Sequence, residues 1–303
     1  MELFFWCPKV LPLFKLLRPH HWAKNVFCLA GVLFGDRLGD PHALTNAGLI
    51  FAAFCLLCSS VYILNDLIDV HRDRRHPTKR TRPIASGAVF PATACIASLA
   101  LFIGAFTILF VWVPSALLVA GLYVLINIAY TGFLKHVPIL DFFCIAAGFV
   151  LRMLAGVYGI GDVPTGWIFI CTLSLALLLA QAKRRSELVA LGTAGLEELN
   201  ERRPVLRFYS KEFLDSLINS SATITIIAYA LFTITSGKNP ALVLTVPFVY
   251  YATMRYKMLV MVTNDGEEPE RLLLRDVSIL VSAGAWLIAF LWITHSNLEI
   301  FRI

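Results

Sequence analysis

The densest set of reactive side chains lies between Asn65 and Arg82, directly after the apolar run 49–64. Its sequence is N-D-L-I-D-V-H-R-D-R-R-H-P-T-K-R-T-R. Asp66, Asp69 and Asp73 are spaced i, i+3, i+7, so on a helix they share one face. Three carboxylates at the C-terminal end of a helix repel one another and the negative end of the helix dipole. A hard cation would offset both effects, and Mg²⁺ commonly binds one or two carboxylates together with substrate phosphates.

A basic cluster follows the aspartates and consists of Arg72, Arg74, Arg75, Lys79, Arg80 and Arg82. Guanidinium and ammonium groups are the usual protein ligands of phosphate oxygens. The whole stretch therefore predicts a Mg²⁺-diphosphate site, in which Asp66, Asp69 and Asp73 hold the metal. The alternative is a charged loop whose arginines are solvated.

The composition indicates the elements that must position this site. Of 303 residues, 58% are hydrophobic and 15% charged, whereas a soluble domain carries about 25% charged residues. A helix that crosses a bilayer needs about 20 mainly apolar residues. The sequence thus predicts an all-α integral membrane bundle, one domain over 1–303, with nine transmembrane helices near 22–38, 47–66, 90–110, 114–130, 139–160, 165–182, 213–235, 240–260 and 276–295.

The distribution of basic residues predicts the orientation. All lysines and arginines except Arg37, Arg152, Lys238 and Arg302 fall in segments on one side of the predicted bundle. Such segments face the cytoplasm. We therefore expect a multi-pass protein of the cytoplasmic membrane, with its amino terminus and candidate site on the cytoplasmic side. The net charge of +6 reflects this bias, so it does not imply a nucleic-acid partner.

Further polar groups lie near the predicted cytoplasmic helix ends, namely Tyr130, Lys135, Lys183 and Arg184. Asp141 and Arg152 lie in the fifth predicted span, about three turns apart. An ionisable residue within a membrane is a functional candidate by default. The alternatives are that Asp141 reaches the interface and that Arg152 forms a structural pair.

The longest polar loop begins at Lys183. Glu187 follows Lys183 by four residues and Arg184 by three, which favours an ion pair within one helix. We expect the rest of this loop, Gly192 to Lys211, to cover the cytoplasmic face. Arg202 and Arg203 would there contact anionic lipid headgroups.

The N-D-x-x-D-x-x-x-D motif at Asn65 to Asp73, the nine apolar spans and the charged loops resemble the UbiA superfamily of intramembrane prenyltransferases. The resemblance covers essentially the whole chain. It implies a helical bundle in which Mg²⁺ binds a diphosphate donor at the cytoplasmic mouth of a lipid-facing cavity.

Three stretches are similar, more narrowly, to the polyprenyl-phosphate phosphoribosyltransferase branch. They are R-P-H-H-W-A-K-N at Arg18 to Asn25, H-P-T-K-R-T-R-P-I-A-S-G at His76 to Gly87, and Y-T-G-F-L-K-H-V-P-I-L-D at Tyr130 to Asp141. This branch implies phosphoribosyl diphosphate as donor, a decaprenyl-type polyprenyl phosphate as acceptor, and a product for cell-envelope synthesis. Aromatic prenyltransferases carry a second D-x-x-x-D motif after the fourth span, whereas this chain has Tyr130, Lys135 and a single Asp141 there.

The resemblance and the side-chain chemistry together assign roles. Asn65 orients the metal ligands, and Asp73 or Asp141 takes a residual proton. The predicted substrate-binding residues are Lys24, Asn65, Arg72, Lys79, Arg82, Tyr130, Lys135, Arg152, Lys183 and Arg184. Lys24 and Arg152 are assigned to the lipid phosphate. The remaining alternatives are a prenyl transfer to an aromatic acceptor and a transporter, and the oligomeric state, including a homo-oligomer, stays open.

Overall fold

The computed structural model describes residues 10–75, 79–191, 204–266 and 268–296, which form helices and turns without strands. This part of the chain contains α1 (Val10–Leu17), α2 (Ala30–Phe34), α3 (Pro41–Ile68), α4 (Val70–Arg75), α5 (Pro91–Trp112), α6 (Leu117–Gly132), α7 (Leu140–Gly159), α8 (Gly166–Leu191), α9 (Lys211–Thr235), α10 (Val246–Val262), α11 (Pro269–Arg275) and α12 (Val277–His295). The predicted all-α class is confirmed. The described residues do not include His76, Pro77 and Thr78 of the stretch His76 to Gly87. They also do not include residues 192–203 of the loop predicted to cover the cytoplasmic face, so the prediction for Arg202 and Arg203 lies outside them.

Seven helices of the described chain are long and apolar enough to cross a bilayer. They are Pro41–Ile68, Pro91–Trp112, Pro114–Gly132, Leu140–Gly159, Gly166–Ala190, Lys211–Thr235 and Val277–His295. The protein is therefore a multi-pass membrane protein. The predicted count of nine is not confirmed, because two of the apolar stretches fold differently.

The first of these stretches, 22–38, is not one continuous α-helix. A 3₁₀ segment, Pro19–Leu29, is followed by the five residues of α2. Polar side chains fasten the segment to α3, since Trp22 Nε1 donates to Ser59 Oγ at 3.0 Å and Asn25 Nδ2 to Cys55 Sγ at 3.2 Å. We attribute the absence of a continuous α-helix, which the apolar pattern predicted, to these tertiary contacts.

The second stretch, 240–260, begins with a 3₁₀ turn, Pro240–Thr245, and becomes α-helical only at Val246. Pro240 and Pro247 have no N–H to donate, which disfavours a regular α-helix through this region. The α-helical part has 17 residues and is shorter than the predicted span.

The chain forms two compact units, Met1–Thr131 with Leu151–Asp162, and Gly132–Val150 with Val163–Ile303. In the first, Ile50, Phe54 and Leu57 of α3 pack with Leu109 of α5 and Tyr123 of α6. Small polar groups also join α3 and α5: the Ser60 and Ser98 hydroxyls each donate to the other's carbonyl, at 2.9 and 3.0 Å. In the second unit, α8, α9 and α10 share a buried apolar cluster.

Helix α3 carries the candidate site at its C-terminal end. It begins at an N-cap, where Asp40 Oδ1 accepts from the backbone N–H groups of His42 and Ala43, and Pro41 occupies its first turn. Its 28 residues extend about 42 Å, whereas the hydrocarbon core of a bilayer is about 30 Å thick. Such a helix reaches beyond the apolar layer, so a polar end is compatible with its length.

Candidate active site

The end of α3 and the short helix α4 place the three aspartates. Asp69 joins the two helices, its N–H donating to Asn65 O and its carbonyl accepting from Asp73 N, at 2.9 and 2.8 Å. Asp69 itself, with φ −88° and ψ 5°, is the single non-helical residue between α3 and α4. Asp66 and Asp73 are buried and Asp69 is half-buried.

Arg82 links two of these carboxylates. Its Nη1 donates to Asp66 Oδ1 at 3.0 Å and to Asp73 Oδ2 at 2.7 Å. Arg82 follows the 3₁₀ turn Lys79–Thr81, and its own N–H donates to Lys79 O. One guanidinium nitrogen therefore holds together two carboxylates that are seven residues apart.

Arg18 contacts Asp66 as well. Its Nη2 lies 2.6 and 2.8 Å from the two carboxylate oxygens of Asp66, and its guanidinium carbon lies 5.2 Å from the centre of the Tyr62 ring. The Arg18 backbone is left-handed, with φ 50° and ψ 58°, directly before Pro19. A non-glycine residue in this region costs conformational energy and is uncommon outside constrained sites.

The neighbouring predicted residues lie in the same unit. Asn65 Oδ1 accepts a 2.7 Å hydrogen bond from Thr131 Oγ1 at the end of α6, which fixes the amide beside Asp66. Tyr130, Lys24 and Lys79 are half-buried, whereas Arg72 is exposed on α4. Asn65, Asp66, Asp73 and Arg82 are thus connected to neighbouring polar groups by direct hydrogen bonds.

The donor set fits a hard divalent cation that also takes substrate oxygens. Two buried carboxylates converge on one nitrogen of Arg82, and Asp69 follows Asp66 by one turn. No group of three His, Cys, Asp or Glu side chains within the described ranges is close enough to hold a metal on protein ligands alone. Mg²⁺ typically retains waters and takes one or two carboxylates plus substrate phosphates, so these aspartates would supply one or two of its ligands, and water and the diphosphate would supply the others.

Arg152 lies deep in the first unit. Its Nε donates to Asn25 Oδ1 at 2.7 Å and its Nη2 to Tyr123 OH at 2.9 Å, and its guanidinium carbon lies 4.8 Å from the centre of the Tyr123 ring. Only 5% of Arg152 is exposed. These contacts stabilise a buried cation through uncharged partners and also attach the 3₁₀ segment to α7.

The second unit has its own ionic cluster. Arg184 Nε donates to Asp141 Oδ2 at 2.5 Å and Arg184 Nη1 to Glu187 Oε2 at 2.8 Å, which confirms the predicted pair within α8. Tyr209 OH donates to Asp141 Oδ1 at 2.6 Å and accepts from Ile139 N at 2.6 Å. Burial and the bond to Asp141 raise the pKa of Tyr209 above its ordinary value, so its hydroxyl stays protonated at neutral pH.

Ile139 adjoins this cluster in an unusual conformation. Its φ is +70°, which is an outlier for a β-branched residue. The hydrogen bond from Ile139 N to Tyr209 OH holds the peptide in place two residues before Asp141. Lys135 and Lys183, the other predicted phosphate ligands of this unit, are half-buried.

Arg18 contacts Asp66 and Tyr209 contacts Asp141, but neither Arg18 nor Tyr209 was predicted from the sequence as a site residue. Arg18 precedes a proline and stands in the R-P-H-H-W-A-K-N stretch, which offered a signal. Tyr209 follows a long polar loop and has no local signature, so only the folded arrangement reveals it.

Comparison with known proteins identifies related sequences. The model of the UbiA prenyltransferase family matches residues 25–280. Decaprenyl-phosphate phosphoribosyltransferase of Corynebacterium glutamicum is 32% identical over 283 residues, which cover 90% of this chain and 83% of that protein. The protein of the same name from Mycobacterium tuberculosis is 31% identical over 284 residues, covering 90% and 91%.

A solved structure shares the fold. A UbiA homologue from Archaeoglobus fulgidus, bound to DMAPP and Mg²⁺, superposes with a TM-score of 0.69 at 20% identity, covering 91% of this chain and 96% of that one. The predicted UbiA-like architecture is therefore confirmed at the level of the fold.

Proposed function

Because this chain belongs to the UbiA prenyltransferase family, we propose that it is a transferase that moves a 5-phosphoribosyl group from phosphoribosyl diphosphate to a polyprenyl phosphate. The observation that carries the proposal is the identity of 31–32% with decaprenyl-phosphate phosphoribosyltransferases over about nine-tenths of the chain. In the reaction, an oxygen of the lipid phosphate forms a bond to the anomeric carbon of the ribose. The bond from that carbon to the diphosphate breaks, and pyrophosphate leaves.

The Asp66–Asp73 pair is our candidate for holding Mg²⁺ against the donor diphosphate, together with Asp69. Bound Mg²⁺ supplies positive charge that offsets the charge of the leaving diphosphate. Asn65, fixed by Thr131, orients the Asp66 end of the set. Lys79 and Arg82 bind phosphate oxygens through charge-assisted hydrogen bonds.

The proposed reaction does not require a strong general base from the protein. A phosphate monoester is largely ionised at neutral pH, so the acceptor is already nucleophilic. Asp73 and Asp141 are the two candidate acceptors of any residual proton: both oxygens of Asp141 are hydrogen-bonded within the protein, and Asp73 Oδ2 accepts from Arg82. Asp141 and Arg184 then stabilise the junction of α7, α8 and the segment around Tyr209.

We expect the polyprenyl tail of the acceptor lipid to lie in the bilayer. Exposed apolar side chains cover much of α5 and α12, which suits contact with lipid. We place the protein in the cytoplasmic membrane with the Asp66 end of α3 toward the cytoplasm, and its product in cell-envelope synthesis. Lys24 and Arg152 stay predicted ligands of the lipid phosphate, and Arg72, Tyr130, Lys135 and Lys183 stay predicted ligands of the donor.

The proposal is tested by comparing two donors in separate reactions. Purified protein in detergent is incubated with Mg²⁺, a polyprenyl phosphate, and either labelled phosphoribosyl diphosphate or a labelled prenyl diphosphate with an aromatic acceptor. We expect label in the organic phase from the first donor only, and none with EDTA. Product from the prenyl diphosphate alone would instead identify a prenyltransferase.

A further inference from the structure

Arg82 takes the place that a bridging cation needs. Its Nη1 is 3.0 Å from Asp66 and 2.7 Å from Asp73. A Mg²⁺ ion shared by these carboxylates would lie about 2.0–2.1 Å from an oxygen of each. One nitrogen and one metal cannot both lie between the same two oxygens, so metal binding there requires Arg82 to move.

Arg18 occupies the other approach to Asp66. It contacts both oxygens of that carboxylate, including Oδ1, which also accepts from Arg82. The Asp66 and Asp73 side chains are only 4% and 3% exposed. Buried carboxylates need compensating charge, and two guanidinium groups balance two carboxylates.

The two arginines remain partly accessible. The side chain of Arg18 is 18% exposed and that of Arg82 is 28% exposed. A phosphate that arrives from solvent can therefore reach the same guanidinium groups. A diphosphate offers them oxygen acceptors as strong as the carboxylates.

Building on the proposed function, we infer that Arg18 and Arg82 are internal counterions that exchange the Asp66–Asp73 carboxylates for the donor diphosphate when the metal binds. Metal alone must break these ion pairs and leave the guanidinium groups without their carboxylates. Metal with diphosphate gives each arginine a new anionic partner. The two ligands therefore bind as a coupled pair, and the coupling resides in the arginines.

Coupling of this kind is measurable without turnover. Linkage between two ligands is reciprocal and typically amounts to about 5–150-fold in affinity. Equilibrium dialysis of the full chain in detergent measures the amount of Mn²⁺ bound to the protein. The measurement is made with and without inorganic pyrophosphate, at the same concentration of free Mn²⁺. In the wild type, we expect pyrophosphate to tighten Mn²⁺ binding by at least about tenfold.

Arg82→Gln removes the nitrogen that lies between the carboxylates. We expect Mn²⁺ to bind this variant several-fold more tightly than wild type without pyrophosphate, and the enhancement by pyrophosphate to fall below about threefold. Arg37→Gln removes an equal charge just before α3, at the opposite end of that helix, where the Arg37 side chain is 46% exposed, and it should leave both quantities unchanged. Weaker Mn²⁺ binding by Arg82→Gln, or an undiminished enhancement, would overturn the inference.

Arg18→Gln covers a failure of Arg82→Gln to fold. It removes the second counterion of Asp66, so its Mn²⁺ affinity without pyrophosphate should exceed that of wild type, and affinity at or below wild type contradicts the exchange. Because the probe is inorganic pyrophosphate, this result is independent of donor identity. If Mn²⁺ and pyrophosphate binding are coupled but no phosphoribosyl group is transferred, the proposed function is wrong and the counterion exchange still holds. If the phosphoribosyl group is transferred but the two ligands are not coupled, the exchange is wrong and the proposed function still holds.

Discussion

The hydroxyl of Tyr209 lies 2.6 Å from Oδ1 of Asp141 and donates to it. The same hydroxyl accepts from the N–H of Ile139, whose φ is +70°. One oxygen atom therefore both satisfies a buried carboxylate and holds a strained peptide two residues away.

Tyr209→Phe should destabilise the protein by about 1–3 kcal/mol, because it leaves a donor and an acceptor without their partner in a buried setting. Thermal unfolding in detergent measures the loss. Tyr251→Phe is the control, since Tyr251 is exposed on α10 and its change should have little effect. Equal stability of the Tyr209 variant and wild type would show that the hydroxyl contributes nothing to the fold.

The metal assignment predicts that Asp66→Asn or Asp69→Asn abolishes turnover, lowering it by at least about 100-fold, because a metal ligand supplies several kcal/mol of charge stabilisation. Expression should stay near normal. The control is Asp162→Asn, whose pairing with Arg37 at 3.4 Å is partly exposed and should contribute little. Full activity of either site variant in the labelled-donor assay would remove these aspartates from the mechanism.

The sequence predicted that a long apolar helix ends in the charged stretch, and α3 does end there, because the aspartates stand directly after a long apolar run. It did not predict that Arg82 and Arg18 contact the carboxylates, since Arg18 lies 48 residues from Asp66 and long-range pairing has no local pattern. For the same reason the apolar stretch 22–38 gave no sign of its 3₁₀ course, which depends on contacts of Trp22 and Asn25 with α3.

At Gly156 the backbone of α7 lies so close to the backbone of the 3₁₀ segment that we expect no larger residue to fit. A Cβ on Gly156 would lie 1.9 Å from the carbonyl oxygen of Cys28, so Gly156→Ala forces the 3₁₀ segment and α7 apart. Overpacking of this kind costs about 1–3 kcal/mol or more. Gly121→Ala is the matched control, because a Cβ on Gly121 meets nothing within 4 Å. Comparable unfolding temperatures for the two variants would contradict the close packing.

Asp276 predicts a pH-dependent contribution to stability. The Arg255 guanidinium, 2.8 Å away, and the N–H of Ile279 hold the pKa of Asp276 below its ordinary value. A lowered folded-state pKa stabilises the protein above the ordinary value and loses this effect as the pH falls through the lowered pKa. Arg255→Gln should thus unfold at a lower temperature than wild type at pH 7, and the gap should shrink below about pH 4. A gap that is constant across this range would exclude the ionic contribution.

In the proposed reaction the phosphoribosyl group, and not the diphosphate, is transferred to the lipid. This transfer is tested most directly with two preparations of phosphoribosyl diphosphate, one labelled in the ribose and the other in the terminal phosphate of the diphosphate. With Mg²⁺ and a polyprenyl phosphate, we predict that ribose label enters the organic phase while phosphate label leaves as pyrophosphate in the aqueous phase. Label from both preparations in the lipid, or from neither, would contradict phosphoribosyl transfer by this protein.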